Sequence, residues 1–303
     1  MTISIAYLGP AGTYTEATAL AYADWRETAN LSLRDGEIGQ KSFLCPYPTI
    51  AQTLYAVTDK QADLAVVPVE NLIHGSVATT LDTLWQLEGL KIQQALVLPI
   101  VHALISRAPT LAAIKTVYSH PQALAQCQDW LNRYLPAAQQ VTSNSTTEAL
   151  EHLGQNEAIA AISSERAAKL YDLPVLARDI NDRQGNCTRF WVVGHPQTDR
   201  GDRISVAFSV PANVPGALVN PLQAFARRNI NLSRIESRPT KRSLGEYLFF
   251  VDVESDRNSN QIEEALEELQ QYVEILKIFG RYDLYSIQDG KVMVGEGIRG
   301  LGD

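Results

Sequence analysis

Apolar positions fall into short runs up to about residue 195 and into clean alternation beyond it. In the first stretch ISIAYL, DLAVVPV, KTVYS, AIAAI, PVLARDI and RFWVVG read as strands. Helical patterns lie between them. In PQALAQCQDWLNRYL, Leu124, Cys127, Leu131 and Tyr134 share one face, and Pro121 suits the first turn. Strands alternating with helices predict a parallel sheet with helices on its faces. The run KIQQALVLPIVHALIS carries Pro99 in its middle, so it predicts a strand crossing between two lobes rather than one uninterrupted central strand. Two α/β lobes joined in this way leave a cleft for a small ligand. A single doubly wound sheet is the alternative that the pattern leaves open.

Past the polar segment GHPQTDRGDR the pattern changes. RISVAFSV puts Ile204, Val206, Phe208 and Val210 on one face, and EYLFFVDVE does the same with Tyr247, Phe249, Val251 and Val253. Helical spacing joins Leu218, Leu222 and Phe225, then Ile262, Leu266, Leu269 and Val273. The order strand, helix, strand, strand, helix, strand predicts a ferredoxin-like βαββαβ sandwich. The expected organisation is a two-lobed α/β unit over residues 1–194, a linker over 195–202, the sandwich over 203–282 and a Gly-rich tail over 283–303.

Composition narrows the function. At 303 residues the chain has room for two domains. A net charge of -8 argues against nucleic acid or an anionic membrane as partner. No apolar run approaches the roughly 20 residues of a membrane span, and no basic leader opens the sequence, so a cytoplasmic location is expected. Cys45, Cys127 and Cys187 are far apart, and together with the five His they show no ligand spacing. Neither metal nor cofactor is expected, so the chemistry falls to polar side chains and to the substrate.

Those side chains gather at strand-to-helix turns. In YLGPAGTYTEA, Gly12 and Thr13 precede a helix whose free N–H groups suit an anion. In VVPVENLIHGSVATTLDTL an apolar strand runs into Glu70 and Asn71, and Ser76 reads as a helix N-cap. Such strand ends are where α/β sheets bind ligands. VYSHPQALAQC offers Ser119 as a cap and Gln122 in the first turn, and SNSTTEAL repeats the design with Ser145 and Thr146. His74 and His120 read as neutral loop residues. In DRQGNCTRFWVVG, Thr188 and Arg189 stand where a polar turn meets the strand from Phe190 to Val193.

Taken together, GPAGTYTEA, VPVENLIHGSV, SHPQALAQC and NCTRF resemble, in order, the motif series of the prephenate dehydratases. GAL at Gly216–Leu218 and ESRP at Glu236–Pro239 resemble the phenylalanine-binding motifs of the ACT domain attached to these enzymes. The resemblance covers roughly residues 3 to 282. It implies a catalytic unit similar to type 2 periplasmic binding proteins, decarboxylation and dehydration of prephenate to phenylpyruvate in phenylalanine synthesis, and no cofactor. No helical segment resembling chorismate mutase precedes the first strand, so a monofunctional enzyme is expected.

By resemblance Thr188 donates a hydrogen bond or proton to the leaving hydroxyl. Arg189 anchors a carboxylate or braces the loop, and Phe190 supplies apolar wall. Asn71, Ser76 and Gln122 orient the substrate, Gly12, Thr13 and Ser119 contribute donors, and Glu70 is an orienting or structural acid. For the ACT domain it implies phenylalanine between two copies, touching Gly216, Ala217, Leu218 and Val219 with Asn231, Glu236 and Ser237, and hence a homodimer or tetramer. Pro221 departs from the usual pattern, and the first helix of that domain is expected to start at Asn220 and Pro221 or to have an irregular first turn. Competing readings are an arogenate dehydratase, a cytosolic two-lobed binding protein or sensor, and a structural subunit.

Overall fold

The computed structural model describes residues 2–33, 41–195, 200–254 and 260–294. The first lobe is built from β1 (Ile3–Leu8), α1 (Tyr14–Leu33), β2 (Ser42–Tyr47), α2 (Ile50–Thr58), β3 (Leu64–Asn71), the two-residue β4 (Gly75–Ser76), α3 (Ala78–Gln86) and β5 (Lys91–Pro99). Pro99 ends β5, where its missing N–H costs no ladder bond. The chain then enters the second lobe through β6 (Ala103–Ile105), β7 (Thr116–Ser119), α4 (Pro121–Gln126), α5 (Gln128–Tyr134) and β8 (Gln139–Thr142). A 3-10 turn at Glu148–His152, β9 (Ile159–Ser163), α6 (Glu165–Leu170) and β10 (Val175–Ala177) complete that lobe. β11 (Cys187–Gly194) returns to the first lobe and lies between β5 and β3. Two lobes with separate sheets therefore replace the alternative of one doubly wound sheet.

The sheets are mixed rather than parallel. β1 is parallel to β2 and β3, whereas β11 is antiparallel to both its neighbours because it comes back from the other lobe. The helix expected over residues 121–134 is two helices that break at Cys127. Leu124, Cys127 and Leu131 are buried as its spacing requires, while Tyr134 is exposed.

The C-terminal sandwich runs β12 (Arg203–Ser209), α7 (Val219–Ala226), β13 (Leu232–Pro239), β14 (Tyr247–Glu254), α8 (Gln261–Gln270) and β15 (Ile275–Tyr282), with sheet order β13-β14-β12-β15. Val206, Phe208, Val251 and Val253 face Phe225 and Leu269 of the two helices, as the alternation predicts. Pro221 is the third residue of α7, inside the first turn, where N–H groups have no intrahelical acceptor and its ring is harmless. The other face of the sheet is buried too. Leu248, Phe250, Phe279 and Tyr282 pack on Trp191, Ile92 and Leu84 of the first lobe, so catalytic unit and sandwich share one core. Burial of each such phenylalanine is worth roughly 1.5–3 kcal/mol. The approach is close enough to need glycine. Gly280 has φ +127°, and a Cβ there would lie 3.0 Å from the Ile92 carbonyl oxygen.

Two further strands correct the expected tail. β16 (Leu284–Gln288) pairs in parallel with β5, and β17 (Lys291–Met293) pairs with β16, extending the first lobe's sheet. Ile287 is buried among Leu96, Phe190 and Val192, and the Tyr285 ring meets Trp25 of α1 at 5.6 Å. Each strand turns only one or two residues inward, too few to show a period in the sequence. Residues 295–303 of the expected tail, and 196–199 of the expected linker, lie outside the described residues. A chain ending at Tyr282 would uncover Leu96 and Trp25 and is expected to melt several degrees lower by calorimetry; an unchanged Tm would mean the hairpin adds no stability.

Candidate active site

The cleft between the lobes encloses about 990 Å³, within the range of small-molecule sites. Its walls are strand ends and helix starts: Thr13–Thr15 of α1, Pro68 and Asn71 of β3, Gln122 and Gln126 of α4, residues 144–146, and Thr188 with Phe190 of β11. Among the described residues that line it there is neither Lys nor Arg. An anion here must be held by N–H groups and neutral side chains. The unpaired N–H groups of the first turn of α1 are suited to that. Glu148 and Glu151 also line the cleft, and the Glu148 carboxylate is taken up by Asn144, accepting from N and Nδ2 at 3.0 Å each.

Thr188 and Asn71 are register partners on adjacent antiparallel strands, so their side chains point to the same face. Asn71 Nδ2 donates to Thr188 Oγ1 at 3.0 Å. An amide N–H cannot accept, so the Thr188 hydroxyl hydrogen is left for another partner, and the donated bond makes its oxygen a better proton donor. The Asn71 amide also donates toward Asn186 Oδ1 (3.0 Å) and the Cys187 carbonyl (3.1 Å), while its Oδ1 accepts from the backbone N–H of Ile73 and His74. This clamps the amide in one orientation. Gln126 extends the clamp: its Oε1 accepts from Asn186 Nδ2 at 3.1 Å and faces His102 Nε2 at 2.8 Å, and its Nε2 meets His74 Nδ1 at 2.9 Å. Burial holds the His102 pKa below its ordinary value despite the Gln126 bond, so the ring is neutral and donates from Nε2. Burial and then His74 lower His120 in the same sense.

Gln126, His102 and Asn186 were not singled out from the sequence. Gln126 and Asn186 lie within or beside quoted motifs and carry amides, which is the one signal that pointed to them. Cys187 is no nucleophile: burial and then Glu70 raise its pKa, so it stays a thiol.

Several expected site residues lie elsewhere. Alternate residues of a strand face opposite sides, and Arg189 points away from the cleft, donating to Glu70 Oε2 at 2.8 Å and to Asp252 Oδ2 of the sandwich at 2.7 Å. Glu70 is its register partner and faces the same way. Neither lines the cleft. Phe190 returns to the cleft side by alternation along β11, and Pro68 opposite it does so because a bulge in β3 skips Val69 in the register. Ser119 is fully buried and donates to the Ile162 carbonyl, and α4 is capped by the His120 ring instead. Ser76 does line the cleft, but it lies in β4 rather than capping α3, whose N-cap is Val77, and its Oγ accepts from Arg234 of the sandwich at 2.9 Å.

Gly12 serves lobe contact. Its N–H donates to Glu16 Oε2 at 2.6 Å, and with φ +89° a Cβ would come within 3.0 Å of Thr147 in the second lobe. Glu16 also pairs with Arg166 of that lobe at 2.7 Å. Thr13 does line the cleft and caps α1, accepting from the Glu16 N–H.

Two lobes around an N–H-rich cleft, fused to a βαββαβ sandwich, define the class: a small-molecule enzyme with an attached regulatory domain. The comparisons with known proteins make this specific. The prephenate dehydratase family model matches residues 5–198, and the ACT domain model matches 204–271. The bifunctional chorismate mutase/prephenate dehydratase of Aquifex aeolicus is 37% identical over 289 residues, covering 95% of this chain and 75% of that protein. The prephenate dehydratase of Lactococcus lactis subsp. lactis is 34% identical over 296 residues, 95% of this chain and 100% of that one. The crystal structure of prephenate dehydratase in complex with L-Phe from Arthrobacter aurescens aligns with TM-score 0.78 at 32% identity, covering 96% of this chain and 92% of that chain. The chain belongs to the prephenate dehydratase family and carries a C-terminal ACT domain.

Proposed function

We propose that this cleft converts prephenate to phenylpyruvate, with Thr188 as the donor to the leaving hydroxyl and phenylalanine as effector at the ACT domain, which makes the protein a carbon–oxygen lyase. The bond from the ring to its carboxylate breaks and releases CO2, its electron pair entering the ring. The C–O bond at the opposite ring carbon breaks with its pair on oxygen, which takes up one proton and leaves as water. Aromaticity of the product supplies the driving force. The protein has to orient a dianion and stabilise the departing oxygen. A threonine hydroxyl is a feeble acid, so its placement does the work, and the observation that carries the reading is the Asn71 bond that leaves the Thr188 hydrogen free. Thr13, Asn71, Gln122 and Gln126 line the cleft as neutral donors, and Phe190 with Ile100 give an apolar wall against which a carboxylate loses hydration.

The expected effector contacts support a second copy of the chain. Asn231 bonds Glu254 at one end of the sandwich sheet, whereas Asn213, in the loop before Gly216–Val219, bonds Gly245 at the other. The eight-residue β13 separates these ends by about 25 Å, so one chain does not bring them together. β13 is an edge strand with Ile235 half exposed, suited to pairing with a second β13.

The test is purified protein given prephenate and arogenate side by side, with and without phenylalanine, with light scattering on the same samples. Phenylpyruvate from prephenate, a phenylalanine-dependent rate and a dimer or tetramer are expected. Preferential phenylalanine formation from arogenate would replace the substrate, and no product from either would leave a binding protein. A monomer would remove the shared effector site.

A further inference from the structure

One buried carboxylate joins the catalytic strand to the strand that carries the effector motif. Asp252 of β14 is 1% exposed. Its Oδ2 lies 2.7 Å from Arg189 Nη2, on β11 next to Thr188, and 3.5 Å from Arg234 Nη1, on β13 two residues before Glu236. Its Oδ1 accepts from Ser205 Oγ at 2.6 Å, and that hydroxyl also contacts the Tyr282 hydroxyl at 2.6 Å. The first arginine is tightly held, with Glu70 on its other side. The second is held by longer contacts: Arg234 Nη2 donates to Glu236 Oε2 at 3.1 Å and to Ser76 Oγ at 2.9 Å, while both its Nε and its Nη1 are buried with no hydrogen-bond partner, against the Nε alone of Arg189.

These contacts grip one row of the first lobe's sheet from behind. Arg189, Glu70 and Ser76 are successive register partners across β11, β3 and β4, and the adjacent row is Thr188, Asn71 and Gly75. The ACT domain therefore holds every member of the row behind the reacting one, directly or through Arg189.

We propose that Arg189 is a positioning residue for Thr188, fixed through Asp252 by the ACT domain, and that Arg234 is the movable arginine through which the effector acts on it. The inference rests on the reading of the cleft as a prephenate dehydratase with phenylalanine bound beside Glu236. The ammonium of an amino acid that engages Glu236 takes that carboxylate from Arg234. The under-satisfied guanidinium then gains by closing on Asp252 Oδ2, where it competes with Arg189. A loosened Arg189 lets the Thr188 backbone shift, and a misplacement near 1 Å can cost about 100-fold in rate. Coupling of this kind works because the effector favours one arrangement of the pair over the other. It predicts that phenylalanine lowers kcat more than it raises KM.

The test compares wild type, Arg189→Met, Arg189→Lys and Arg234→Met by steady-state kinetics on prephenate, with phenylalanine binding measured separately by calorimetry. Arg189→Met is expected to lose about 10- to 100-fold in kcat with KM within about threefold, and Arg189→Lys to recover part of the loss, a split that lost stability alone does not give. Arg234→Met is expected to bind phenylalanine yet show less than half of the wild-type change in kcat. Wild-type inhibition in Arg234→Met, or an Arg189→Met enzyme with normal kcat, overturns the proposal. If Arg189→Met does not fold, Arg234→Met decides alone, since Asp252 keeps Arg189. Failure of the wild type to turn over prephenate would instead strike the reading of the cleft.

Discussion

Thr188→Val is expected to lower kcat on prephenate by about 10²- to 10⁴-fold, the usual span of a positioned proton donor, while KM stays within a few-fold. Valine keeps the shape of threonine and removes the hydrogen that the Asn71 bond leaves free. The fold has little to lose. Asn71 Nδ2 carries two hydrogens and retains Asn186 Oδ1 and the Cys187 carbonyl as acceptors, so no buried donor is stranded. Thr188→Ser, which keeps the hydroxyl, is expected to stay within about tenfold of wild type. Circular dichroism and Tm on the same preparations separate chemistry from folding. A valine variant with kcat within tenfold of wild type would end the case for Thr188 as the donor.

The largest effect on stability is expected at Asp252. Burial alone raises its pKa, but the Arg189 and Arg234 guanidiniums and the Ser205 hydroxyl outweigh that and hold it below the usual carboxylate value. Asp252→Asn leaves buried guanidinium charge without its anion, and removal of one partner from such a cluster typically costs 3–5 kcal/mol. Here about 3 kcal/mol is expected, because Glu70 still faces Arg189. Urea denaturation at pH 7 measures it. The pH dependence has a definite sign. A carboxylate whose folded pKa is depressed contributes stability that is complete above its unfolded pKa of about 4 and is lost as pH falls through the lower folded value. The gap between wild type and Asp252→Asn should therefore be full at neutral pH and narrow in acid below about pH 4. A gap that stays constant down to pH 3 would mean that the carboxylate charge is not the source.

What the sequence made legible follows the strength of each local signal. The ACT strands and helices were readable because Val206, Phe208, Val251 and Val253 alternate and Ile262, Leu266 and Leu269 recur at helical spacing. β2 and β8 gave no such signal: both are half-exposed edge strands, and β2 contains Pro46. At the site, Thr188 and Asn71 were legible as polar residues ending apolar strands. Gln126 was not, since it falls at the end of a short helix among buried apolar neighbours and looks like any amphipathic position.

The chain's own order of residues determined the two α/β lobes, the sandwich that follows them and the strand ends from which the cleft is made, because these depend on local periodicity and turn chemistry. The tertiary structure alone decided which side of those strands is the cleft. β11 is buried on both faces, so alternation carries no polar label for inside and outside. Adjacent residues as similar in promise as Thr188 and Arg189 are sent to opposite sides, one to the cleft and one to Asp252 of the regulatory domain.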